Sequence, residues 1–515
     1  MAILRDPDIL ASFLEDAAHF PGGHAAGLAT PSSVSEVAAL VRAERSLLPI
    51  GAQSSLTGGA TPMGEVLLST SKLNRILEIG ERSVRVEAGV SLTDLDAALA
   101  RTGRYYPPTP TFMGAFVGGI VATNAAGAAT FKYGTTRGWV EALTVVLADG
   151  DVLTIERGAT TADADGWLTL PTGARPIRVR TPRYRPPAVP KVSAGYCASP
   201  NLDLIDLFIG SEGTLGVITD VTLRVVPRRP ARCLVFAPFA DRRRALAFVA
   251  SMRAAARETW HTGDPRGLDV SSIEHMDARC LALLREDGAD ARLGVRIPPA
   301  SSIALLITLE LPPDTTAADA FDQLGRVREL DTPLTRLARA LDDARVLEDV
   351  EIAVPEDAAR AAQLLALREA VPALVNARVG RAKQTIDPRI DKTAADMIVP
   401  FDRLDALMVL YDEEFAHRGL DAAVWGHISD GNLHPNVIPR SLADVESGKE
   451  AILAFGREAL RLGGSPLAEH GVGRNPIKQQ LLLAMYGSEG IEEMRAIKRA
   501  LDPEWKLAPG VLFPR

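Results

Sequence analysis

The chain has 515 residues, 47% of them hydrophobic, enough for two or three domains with cores of their own. A formal net charge of −8 argues against a general nucleic-acid or anionic-membrane surface. Three scattered cysteines, Cys197, Cys233 and Cys280, form no disulfide framework and no CxxC motif, which fits a reducing cytoplasm.

The first residues, Met1 to Asp8, carry early acids and a proline and read as neither a signal nor a transit peptide. Ser33 and Glu36 have capping-box spacing ahead of a helical stripe of Val37, Leu40 and Val41. Leu48 to Ile50 predicts a short strand. It runs into Gly51, Ala52, Gln53, Ser54, Ser55, Leu56, Thr57, Gly58 and Gly59. Small residues let backbone N–H groups approach a ligand, and such a nest suits a pyrophosphate. The loop lacks the lysine of a P-loop and the GxGxxG fingerprint, so a plain flexible turn stays open as a reading of this stretch alone.

Residues 65–69 and 84–88 predict strands, and 91–99 a capped helix with Leu92, Leu95 and Leu99 on one face. Pro110 and Thr111 lead into Met113, Gly114, Gly118, Gly119, Thr123, Asn124, Ala126 and Gly127. Side chains this small allow backbone to pack on a flat aromatic ligand or on another element. The longest weakly polar run, Gly114 to Ala129, is too short to span a bilayer and contains Thr123 and Asn124. Asp149-Gly150 predicts a two-residue hairpin, and the Pro/Gly/Thr/Arg-rich stretch 157–190 a long loop. Gly210 to Thr219 repeats the Gly-and-hydroxyl chemistry, and Arg228-Arg229-Pro230 marks a domain boundary.

Beyond it, Cys233–Ala237 and Ile303–Glu310 predict strands, with helices over Arg242–Arg257, Ala317–Leu330 and Ala358–Ala370. This alternation suggests an α+β domain. The chain ends in a helix, Ile491–Leu501, and an extended tail.

Trp425 to Asn436 holds two of the eight histidines. Gly426, Gly431 and Pro435 argue against a helix, and Ser429-Asp430-Gly431-Asn432 is turn chemistry. A hairpin on that turn sets His427 opposite His434, with Asn436 on the same face. Opposed Cβ atoms lie roughly 4.5–5.5 Å apart, close enough for both imidazoles to hold one metal ion. Glu469-His470 supplies a carboxylate and a third imidazole. His427, His434 and Glu469 then make a catalytic type of divalent site with positions left open.

Together these motifs resemble the FAD-binding oxidoreductases of the vanillyl-alcohol oxidase/para-cresol methylhydroxylase (PCMH) fold, in the branch of D-lactate, glycolate and D-2-hydroxyglutarate dehydrogenases. Residues 49–59 resemble the pyrophosphate loop. Gly118-Gly119 with Thr123-Asn124 and Gly127 resembles the isoalloxazine-side segment. Gly210 to Thr219, with Glu212, Gly213, Gly216, Val217 and Ile218, is the most specific flavin match. Gly426–His434 and Glu469–Gly471 resemble the metal and catalytic signature. The resemblance implies an α+β, two-part FAD-binding domain over 1–228, a cap over 229–460 carrying the hairpin, and a segment over 461–515 that completes the flavin site. It implies one FAD per chain, non-covalent because no histidine lies in Gly51–Gly59, where some relatives attach it. The chain departs from the family in its long 157–190 excursion and in Ala508-Pro509-Gly510, where Asn-Pro-Gly is frequent. Arg368 matches a substrate arginine. Pro372 replaces the threonine that should follow it, and Lys392 matches the substrate lysine at altered spacing.

The resemblance implies transfer of a hydride from C2 of a small 2-hydroxy acid to flavin N5. A divalent ion, zinc or manganese, on the hydroxyl lowers its pKa so that an imidazole can take the proton. His470 is then the base, Asn436 orients substrate or a ligand, and Arg368 pairs with the carboxylate. The electron acceptor is a quinone, a cytochrome, an electron-transfer flavoprotein or oxygen, and a cytoplasmic homodimer is one assembly the reading allows. A non-redox flavin transferase like the alkylglycerone-phosphate synthases, or an electron-transfer subunit, are the rival classes.

Overall fold

A computed structural model describes residues 3–173 and 176–514. The chain forms two units. One comprises residues 1–127, 134–227 and 465–515, and the other 128–133 and 228–464.

In the first unit, Gly27–Ala29, Val66–Ser69 and Leu47–Ile50 form a parallel three-stranded sheet in that spatial order. The helix Val34–Ala43 buries Val37, Leu40 and Val41 in a core shared with Leu47, Val66 and Leu68. Its N-terminus is capped by Ser33, while Glu36 turns to Ser32, so the cap lacks the reciprocal bond of a capping box. An antiparallel five-stranded sheet follows, in the order Ile76–Ile79, Ser83–Glu87, Val217–Arg224, Val140–Val146, Val152–Glu156. The hairpin joining the last two strands closes on three residues and not two. Leu147 N–H donates to the Asp151 carbonyl, and Gly150 takes φ 83° between them.

The excursion 157–190 is not all loop. Trp167–Leu170 and Ile177–Arg180 pair as an antiparallel ribbon. The chain returns at residue 465, through the helix Pro476–Leu501 and a tail whose Leu507 bridges Leu47 in parallel. Lys498 fastens this return. Its buried ammonium donates to the carbonyls of Thr214 (2.6 Å) and Leu507 (2.8 Å) and to Asp502 Oδ2 (2.5 Å).

The second unit is built on a seven-stranded antiparallel sheet. Its order is Glu351–Ala353, Ala231–Phe239, Ile303–Leu311, Val270–Asp277, Ala422–His427, Asn432–Val437, Met397–Ile398. Alternate residues of the inner strands, Phe236, Leu306, Met276 and Trp425, meet the helices Ala278–Asp287 and Ala358–Thr385 in one core. The second helix is longer than its sequence pattern suggests because it runs through Pro372. Its apolar stripe Leu364, Leu367, Val371, Val375 and Val379 continues past the proline, and burial of that stripe outweighs the missing N–H. Residues 128–133 join this unit through Lys132, whose Nζ lies 2.7 Å from Asp269 and 2.6 Å from Glu310. No helix among the described residues is long and apolar enough to cross a membrane.

His275 sits fully buried in the central strand. Burial holds its imidazole down at about 4. The folded ring therefore stays neutral where the unfolded ring takes a proton. Its contribution is fully present above about pH 6.5 and is lost as pH falls toward 4, about 3 kcal/mol over the window. A pH series of thermal midpoints should show this fall, and His275→Leu should flatten it. An equal fall in both proteins would assign the titration to another group.

Candidate active site

The hairpin Ala422–His427 and Asn432–Val437 forms, but its register differs from the expected one. His427 pairs with Asn432, and His434 with Trp425. The reason lies in the turn. Asp430 N–H donates to the His427 carbonyl and Gly431 N–H to that of Ile428, both at 3.2 Å, so Ile428 is drawn into the loop. Gly431 closes the loop at φ 88°, where a Cβ would stand 2.3 Å from the Val399 carbonyl oxygen. His427 and His434 are thus diagonal neighbours on one face. Their ring centroids are 5.4 Å apart and their planes nearly perpendicular.

A residue that the sequence reading passed over organises this face. Glu274, on the strand Val270–Asp277, pairs directly with His427. His427 Nδ1 lies 2.7 Å from Glu274 Oε1, and Arg368 Nε donates to Glu274 Oε2 at 2.8 Å. A second guanidinium nitrogen of Arg368 reaches the same oxygen at 2.7 Å. Burial alone would raise the Glu274 carboxyl, but Arg368 and His427 together outweigh it and hold it at about 2. With Nδ1 donating to a carboxylate, the His427 lone pair is on Nε2, the tautomer of a metal-ligating histidine. The guanidinium that the sequence reading gave to the substrate carboxylate is turned onto Glu274 instead. Pro372, four residues on, cannot donate to the Arg368 carbonyl, so the continuous helix lacks one backbone hydrogen bond at the turn that carries this side chain.

Around the pair, His434 Nδ1 lies 3.4 Å from Asp396, a second carboxylate absent from the sequence reading. Asn432 donates to Asp396 (3.0 Å) and to the Met397 carbonyl (2.9 Å). Asn436 is buried and donates to the His434 carbonyl at 2.9 Å. Lys392 lies just ahead of the edge strand, where burial lowers its ammonium to about 8. Nothing in the local pattern signals Glu274, since the strand around it also carries Ser271, Ser272, His275 and Asp277.

The flavin-like loops, Glu469 and His470 belong to the first unit. Residues 51–56 are half-buried. Among the described residues, the backbone N–H groups of 52–56 donate to no protein acceptor. Gln53 has φ 51°, the left-handed step that turns successive N–H groups into a concavity, and its side chain anchors the loop on the carbonyls of Phe13 and Ala60. Unmet donors with small side chains fit a pyrophosphate. Gly119 is open as well, since a Cβ there would meet nothing within 4 Å. Pro110 and Met113 are half-buried and Thr111 is exposed.

Other members of the flavin-like set have structural partners. A Cβ on Gly118 would stand 2.6 Å from that of Ala88, and one on Gly216 would stand 2.3 Å from Val145 Cγ1. Thr123 donates to the Gly119 carbonyl, and the Asn124 side chain accepts from Arg137 N–H. Glu212 accepts from the N–H groups of Val472 and Gly473, both at 2.8 Å, and burial raises its carboxyl to about 7. It thereby fixes the turn after Glu469 and His470. His470 Nε2 is 3.6 Å from Glu469 Oε1, and Lys191 Nζ is 2.7 Å from Glu469 Oε2.

Two family models match along the chain. Residues 240–512 match the family model "FAD linked oxidases, C-terminal domain", and residues 25–156 match "FAD binding domain". The chain is 30% identical to a D-2-hydroxyglutarate dehydrogenase of Xanthomonas citri pv. viticola, over 94% of this chain and 89% of that one. It is 27% identical to glycolate oxidase subunit GlcD of Bacillus subtilis, over 91% and 84%. A D-lactate dehydrogenase of Anaerostipes hadrus is also 27% identical, over 94% and 88%. Among solved structures, an alkyldihydroxyacetonephosphate synthase superposes with a TM-score of 0.59 at 15% identity, covering 95% of this chain and 76% of that one, which is a likeness of fold. An FAD-binding module, an FAD-linked oxidase module and relatives along nearly the whole length place the chain in the family of FAD-linked oxidoreductases with the PCMH-type fold.

Proposed function

We propose that the protein oxidises a small 2-hydroxy acid to the 2-oxo acid, with His427, His434 and Glu469 holding a zinc or manganese ion for the reaction. The observation that carries the proposal is the Glu274–His427 pair, a buried carboxylate that sets an imidazole's tautomer beside a second imidazole. The names of the relatives support the substrate class.

When bound, FAD accepts the hydride from C2 and the divalent ion acidifies the 2-hydroxyl. The remaining work belongs to side chains. His470 takes the hydroxyl proton on a ring nitrogen. His427 and His434 present imidazole nitrogens, and Glu274 fixes the orientation of the first. Lys392, whose ammonium titrates near 8, is still largely charged at neutral pH and can meet a substrate carboxylate. Asn436 can orient substrate from the same hairpin face. Arg368 acts at one remove, by holding Glu274.

The test is an anaerobic screen of D- and L-lactate, glycolate and D- and L-2-hydroxyglutarate, following flavin absorbance. At least one should bleach the flavin. A flavin that dithionite reduces and none of these acids does would count against the proposal. Because no histidine lies in the nest, acid precipitation should release all the yellow colour as FAD. Colour retained in the pellet would reveal a covalent link elsewhere.

A further inference from the structure

Lys191 stands at the end of the long excursion that sets this chain apart from the family pattern. Its side chain is fully buried, and its Nζ lies 2.7 Å from Glu469 Oε2. The backbone beside it is fixed too, since Ser193 N–H donates to the Leu467 carbonyl at 3.2 Å. Burying an ammonium is unfavourable unless a well-placed counter-charge offsets it. A methionine would fill the same space without that cost. The ammonium therefore needs Glu469, and the carboxylate gains a fixed orientation from it. The other oxygen, Oε1, is left on the side of His470 Nε2.

We infer that Lys191 is the positioning residue for Glu469: it holds Oε2, so that the carboxylate presents Oε1 alone as a single ligating oxygen beside His470. The inference rests on the reading of Glu469 as a metal ligand. A glutamate without this clamp could ligate through both oxygens or swing away. Outer partners of metal ligands typically contribute 10–100-fold in metal affinity.

The experiment uses the full-length, FAD-loaded protein. Affinity for Zn²⁺ and Mn²⁺ is measured by competition with a chelator, and metal per flavin by elemental analysis. Lys191→Met should keep its FAD and bind metal on the order of 10-fold more weakly or worse. Lys191→Arg, which keeps a charged donor, should recover most of that loss. Metal affinity unchanged in Lys191→Met would overturn the inference and leave the metal reading intact. Wild-type protein that takes up no divalent ion, or Glu469→Gln that binds it as tightly as wild type, would overturn the metal reading and the inference with it. Should Lys191→Met fail to fold, Lys191→Gln decides. Affinity below that of Lys191→Arg supports the clamp, and affinity equal to wild type overturns it.

Discussion

Replacing His470 by alanine should slow flavin reduction by on the order of 10²–10⁴-fold while leaving both FAD and metal in place. The imidazole is half-buried and follows Glu469 in a loop that Glu212 and Arg474 fix from both sides. On the proposed assignment, removing it deletes a base and leaves the proposed ligands and the turn in place. The residual rate should rise with pH as solvent hydroxide takes over the proton. Stripping the protein with a chelator should also abolish reduction, but with a different signature. FAD stays bound, and adding Zn²⁺ or Mn²⁺ restores the rate. His427→Ala should resemble the stripped protein and lose metal. Stopped-flow reduction with the best hydroxy acid, alongside metal and flavin content, separates the three. Wild-type rates in His470→Ala would mean that another group takes the proton, and full turnover without metal would sink the role given to the hairpin.

The sequence was legible where local chemistry was strong. Gly-rich loops, capped helices and the alternating strands Ala231–Phe239 and Ile303–Leu311 all had signals of their own. It carried the hairpin but not its register, because register depends on which residue the turn consumes. That was decided by the His427 carbonyl and by close packing of Gly431 on Val399, both invisible in a one-dimensional pattern. Glu274 was missed for a related reason. Its meaning comes from the cross-strand neighbour His427 and from Arg368, 94 positions along the chain. The glycines illustrate the limit from the other side. Gly118 and Gly119 are adjacent and chemically identical, yet one packs on Ala88 and the other is open.

Arg368→Met gives the sharpest division between the sequence reading of that arginine and its place in the structure. If the side chain serves Glu274, the variant leaves a buried carboxylate with the His427 ring as its remaining side-chain partner among the contacts described above. Removing one member of a buried pair typically costs about 3–5 kcal/mol, because the other charge stays uncompensated. Glu274 should then rise from its value near 2 and draw a second proton onto the His427 ring. An imidazolium has no lone pair for a metal, so affinity for Zn²⁺ should fall as well. The Michaelis constant for the substrate should change little beyond the effect of lost metal. The double variant Arg368→Met/Glu274→Gln removes both charges and keeps an oxygen to accept from His427 Nδ1. It should therefore recover most of the stability and much of the metal affinity. Denaturant unfolding and chelator competition on the single and double variants give the coupling between the two residues. If Arg368→Met is as stable as wild type, binds metal as tightly and raises only the Michaelis constant, then the arginine meets the substrate carboxylate in the working enzyme, and its bond to Glu274 is a resting arrangement.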